Sequence, residues 1–124
     1  MNISIATAKM FLANKKAKHQ RLLDNKYELA LHDFNNIKMM IIESYNPKRI
    51  YQWGSLLDQS RFREYSDIDI AVDGIDDPAT FFRMFGDAEK MTQFPLDLVD
   101  INKIETEFAE LIKSRGRIVY EHRD

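Results

Sequence analysis

Between Asp67 and Asp73 the chain alternates apolar and polar residues, so that in an extended strand Ile68, Ile70 and Val72 lie on one side and Asp67, Asp69 and Ala71 on the other. That period belongs to a strand with one dry face, and a dry face must lie on a core. The opposite face then presents two carboxylates about 6 to 7 Å apart on a single strand. The sequence is thereby committed to a sheet with a charged side.

The surrounding residues supply the rest of a small domain. Leu22, Leu23, Tyr27, Ala30, Phe34, Ile37 and Ile41 recur at spacings of three and four, which predicts a helix ending near Ser44 that Asn46-Pro47 stops. Residues 49–53 read as a short strand running into Gly54, where glycine permits positive φ and close approach to the backbone. The polar stretch 56–66 predicts a short helix and a loop. Asp76-Asp77-Pro78 is a helix start, followed by a buried stripe of Phe81, Phe82, Met84, Phe85 and Ala88. Residues 96–101 read as a third, apolar strand, 105–113 as a last helix and 117–120 as a terminal strand after Gly116. Trp53 and Tyr51, on one face of the first strand, are expected to pack in the core.

At 124 residues there is room for one domain with a core and for little more. Cysteine is absent, which excludes disulfides and thiolate zinc sites and predicts a cytoplasmic protein; no apolar run could span a membrane. Residues 1–63 carry 11 Lys+Arg against 5 Asp+Glu, whereas residues 64–124 carry 7 against 15. The acidic half suits cation binding, and no direct contact with nucleic acid is expected of it. Lys9, Lys15, Lys16, Lys18 and Arg21 mark residues 1–21 as a basic, solvated helical arm.

Asp67 and Asp69 can grip one cation or a close pair, and a neighbouring strand adds a third acid. Parity separates the candidates on residues 96–101. Asp97 sits inside an apolar strand, where an unpartnered carboxylate is costly; Asp100 stands near the strand end, where solvent is expected to reach it. Asp97 is therefore taken as the third member. The donors are hard oxygens, which favours Mg²⁺, in a pair of ions holding a triphosphate. Ser55, twelve residues before Asp67 at a Gly-Ser turn, can offer its hydroxyl and backbone N–H to terminal phosphates.

Gly54-Ser55, the Asp67-Ile68-Asp69 pair and Asp97 within Pro95-Leu96-Asp97-Leu98-Val99-Asp100 together resemble the minimal nucleotidyltransferase (MNT) domain of the DNA polymerase beta-like superfamily. The resemblance implies an α/β (α+β) nucleotidyltransferase fold over residues 22–124, with a small mixed sheet packed against helices and the arm as an N-terminal extension. It implies Asp67, Asp69 and Asp97 as catalytic and metal-binding residues, and Gly54 and Ser55 as nucleotide-binding ones. The spacer 56–66 is one residue longer than the family's usual length. It has no glycine, and Leu56 stands where the family often has arginine, so Arg61 or Arg63 would take over triphosphate contact. Stand-alone members of this kind resemble antitoxins that transfer AMP from ATP to a tyrosine of a helical HEPN ribonuclease toxin. Competing expectations are a non-catalytic antitoxin acting by occlusion and a small-molecule nucleotidyltransferase.

Overall fold

The computed structural model describes residues 4–123; the first three residues of the expected arm and Asp124 lie outside them. Helix α1 spans Ile5–Tyr45 without a break, so the periodicity beginning at Leu22 is the second half of a 41-residue helix. Ser4 caps its start by accepting the Thr7 N–H at 3.1 Å. Asn46, at φ 48°, ends it in the left-handed conformation. Strand β1 (Arg49–Trp53) follows, then two short 3₁₀ turns (Ser55–Leu57 and Gln59–Arg61), β2 (Ile68–Asp73), α2 (Pro78–Glu89), β3 (Leu96–Asp100), α3 (Thr106–Arg115) and β4 (Arg117–Glu121).

The four strands form one sheet in the order β3-β2-β1-β4. β1 pairs antiparallel with β2 and with β4, whereas β2 and β3 run parallel, joined by the α2 crossover. The sheet is therefore mixed, as the resemblance implied.

Its two faces are built differently. Ile50, Ile68, Ile70, Val72 and Leu98 join Ala30, Phe34, Ile37 and Ile41 of α1 and Met84 and Ala88 of α2 in the main core. On the other face Tyr51 and Ala71 meet Ala109 and Ile112 of α3 in a smaller cluster that includes the half-buried Trp53 and Phe108. Trp53 and Phe108 pack edge to face, their ring centroids 5.2 Å apart.

One core expectation fails. Phe82 is 74% exposed, because at 100° per residue it stands on the far side of α2 from Met84 and Ala88, while Phe81 and Phe85 flank them. Asp77 caps this helix, accepting from the Thr80 N–H at 3.1 Å and the Thr80 hydroxyl at 2.8 Å.

Candidate active site

The parallel pairing of β2 with β3 sets Asp69 directly opposite Asp97. In-register residues of adjacent strands point to the same face, so both carboxylates stand on the α3 side of the sheet. Asp67 lies one residue before β2, in the connection from the second 3₁₀ turn. On its other flank Asp69 pairs with Trp53 of β1, and the chain then turns at Gly54.

That glycine is required twice over. Its φ of 81° disfavours any side chain, and a Cβ there would sit 1.9 Å from Asp69 Oδ2. The Gly-Ser turn is thus folded directly against the buried carboxylate. The turn closes with Leu57 N–H donating to the Gly54 carbonyl and Asp58 N–H to that of Ser55, each at 3.2 Å. Leu56, in the family's arginine position, is 1% exposed and anchors the turn in the main core.

Electrostatics mark the same residues. Asp69 is 7% exposed, and burial, followed by the charges of Asp97 and Asp67, pushes its carboxyl up to about 7. Asp97 is raised for the same two reasons, burial first and then Asp67. Asp69 and Asp97, with the Asp67 charge beside them, form a site with surplus negative charge, and the hard oxygens of the three have the donor chemistry of a divalent cation site. Among the described residues no group of three or more His, Cys, Asp or Glu side chains is arranged so as to hold a metal ion. The fit to Mg²⁺ is therefore one of charge and donor type.

Asp100 is not the solvated residue expected from its place near the strand end. It is 7% exposed, because the chain folds back over it: its carboxylate accepts the Asn102 N–H at 2.9 Å and lies 3.9 Å from Lys103 Nζ. It ends β3, three positions beyond Asp97 and on the opposite face of the sheet.

The two arginines proposed for the triphosphate part ways. Arg63 is turned onto its own loop, donating to the carbonyls of Ser60 at 2.8 Å and Phe62 at 3.0 Å. Arg61 instead lines a cleft of about 240 Å³ with Trp53, Gly54, Leu57, Phe108 and Arg115. Neither Arg115 nor Phe108 is marked as a site residue by any sequence pattern. They lie more than fifty residues from Gly54, and only the pairing of β4 with β1, with Arg117 opposite Gln52, brings the end of α3 to the Gly-Ser turn. Gly116 makes that approach possible, since a Cβ on it would meet the Gln52 carbonyl at 2.8 Å.

Residues 35–124 match the sequence model of the polymerase beta nucleotidyltransferase family. The chain belongs to that family. Solved structures agree on the fold. A toxin-antitoxin complex with AMP-PNP is 25% identical, with TM-score 0.57 over 71% of this chain and 73% of that one. The antitoxin complex MntA-HepT is 21% identical, with TM-score 0.57 over 74% and 73%. A tri-AMPylated Shewanella oneidensis HEPN toxin in complex with its MNT antitoxin is 22% identical, with TM-score 0.56 over 75% and 73%. No curated protein is significantly similar to the chain. Among the described residues no helix is long and apolar enough to cross a membrane.

Proposed function

We propose that this nucleotidyltransferase is an antitoxin that transfers AMP from ATP to a tyrosine of a HEPN-family toxin, with Mg²⁺ bound by Asp67, Asp69 and Asp97. The observation that carries the reading is the pairing of Asp69 with Asp97 directly beneath the Gly54-Ser55 turn. The AMP-PNP complex and the AMPylated HEPN toxin among the similar structures support the choice of nucleotide and of acceptor.

Mg²⁺ would neutralise the surplus charge of the three carboxylates and of the triphosphate. Ser55 holds the terminal phosphates through its hydroxyl and backbone N–H, and Arg61 reaches them from the cleft wall. The acceptor tyrosine oxygen bonds to the α-phosphorus as the bond to the bridging oxygen breaks and pyrophosphate leaves. Asp97, opposite Asp69 across the ladder, takes the phenolic proton.

Incubation with ATP, Mg²⁺ and a HEPN-family partner, followed by intact-mass measurement of both proteins, tests this. An AMP-sized addition to the partner that depends on Asp69 is expected, and its absence from a partner that nevertheless binds would refute catalysis. A second reading, neutralisation by occlusion, is favoured by Arg63 being tied to backbone carbonyls instead of facing the cleft. It predicts that Asp69→Asn leaves toxin neutralisation intact.

A further inference from the structure

The stripe of α1 that enters the core, Leu23-Tyr27-Ala30-Phe34-Ile37-Ile41, continues backwards in phase beyond the domain. It passes through Lys16 and His19 and turns apolar again at Leu12, Ala8 and Ile5. Residues 5–21 of the helix are exposed throughout, a projection of about 25 Å at 1.5 Å per residue. This segment precedes residues 35–124, the part of the chain that matches the family.

The arm has two parts. At the tip, Ile5, Met10, Phe11 and Leu12 are 76%, 66%, 67% and 61% exposed. At 100° per residue they point all around the helix, and a helix apolar on every side belongs in a socket. Behind the tip stand Lys15, Lys16, Lys18 and Arg21, and the first 23 residues contain five Lys+Arg and no acid. The remaining 101 residues carry 13 Lys+Arg against 20 Asp+Glu, so the molecule is a basic arm on an acidic body.

The body offers a socket of complementary character. Phe81, Phe82, Leu98, Val99 and Ile104 line a cleft of about 360 Å³ along β3, and β3 is an edge strand of the sheet. Phe82, which failed to enter the core, forms its exposed wall. Exposed Asp76 and Asp77 adjoin it through Pro78, and exposed Glu105 adjoins it through Ile104. Lys103, its one lining cation among the described residues, is already paired with Asp100. Because α1 is unbroken and residues 5–21 are exposed throughout, the arm does not reach the cleft of its own chain. Pairing of two arms would juxtapose ten positive charges.

We propose that the arm of one molecule docks in the α2–β3 cleft of a second copy, its apolar tip against Phe82 and its lysines against the acidic rim. The contact is heterologous, so successive copies join head to tail into a ring or an open chain. Sedimentation velocity of the full chain over a micromolar concentration series tests it. Concentration-dependent association that weakens with salt is expected. Leu12→Asp in the arm and Phe82→Asp in the cleft, both at exposed sites, should each weaken it by roughly tenfold or more, about 1.4 kcal/mol. Because each variant keeps the element the other lacks, mixing the two should restore a 1:1 dimer that neither forms alone.

A monomer at every concentration overturns the proposal, as does association that Phe82→Asp leaves unchanged. Should the chain stay monomeric while Leu12→Asp abolishes binding to phosphatidylglycerol vesicles or to duplex RNA, the arm serves that surface instead, and the proposal fails. None of these readings depends on nucleotide transfer.

Discussion

The two faces of this sheet are made from the same strands but serve opposite purposes. On the α1/α2 side every inward residue of β2 is apolar and fully buried: Ile68, Ile70 and Val72. On the α3 side the same strand alternates in Asp69, 7% exposed and opposed across the ladder by another acid, Asp97. One face therefore releases free energy on burial, while the other stores electrostatic strain beside a cleft. The difference sets the domain's stability apart from its proposed chemistry by the thickness of one strand, and substitutions one residue apart should have opposite effects.

The largest effect is expected on the acid face. Asp69→Asn combined with Asp97→Asn should lower the proposed adenylyl transfer by on the order of 10³-fold or more, since it removes the charge that would hold Mg²⁺ against the reacting phosphates. The melting temperature should be unchanged or higher, because two raised carboxyls are relieved. A clear loss of stability would mean the acids are structural. On the dry face Ile70→Ala, at a position with no exposure, should cost about 2 to 5 kcal/mol in urea unfolding. Transfer per folded molecule should be unchanged.

Much of this contrast was legible before the fold was known, since alternation in 67–73 specifies both faces and parity selects Asp97 over Asp100. The sequence was silent where the outcome depends on long-range pairing. Burial of Asp100 follows from a turn that folds Asn102 and Lys103 back onto it. Arg115 reaches the Gly-Ser turn only because β4 pairs with β1. The apolar character of its neighbours predicts a buried Phe82, whereas its angular position on α2 settles its exposure. The division of roles between Arg61 and Arg63 depends on which side chain its loop captures, and two arginines two residues apart give no local cue to that.

An intermediate effect should appear with pH. Asp69 is raised to about 7 and Asp97 is raised as well, so the folded chain favours their protonated forms. Their contribution to stability is fully present below the ordinary carboxylate range near pH 4 and is lost as pH rises through about 7. Without metal, the chain should lose about 1 to 3 kcal/mol from this source between those limits. Asp69→Asn should remove most of that slope in thermal melts. Added Mg²⁺ should reduce it in the wild-type chain and leave the variant unaffected. A wild-type slope insensitive to Mg²⁺ would count against the carboxylates as its binding site.

The smallest effect concerns the coupling between the faces. Asp77→Ala removes the cap of α2, where one carboxylate oxygen accepts both the Thr80 N–H and its hydroxyl. The Asp77 carboxyl is lowered chiefly by those hydrogen bonds, and its exposed site limits their worth. Loss of a cap of this kind lowers the melting temperature by about a few degrees in a domain of this size. α2 packs only on the dry side, through Met84 and Ala88, but it also connects β2 to β3 and thereby sets the register of Asp69 with Asp97. If the sheet alone holds that register, the variant should melt earlier yet transfer AMP at an unchanged rate per folded molecule. A rate that falls in step with the melting temperature would show that the crossover helix positions the acids, and that the two faces are mechanically one.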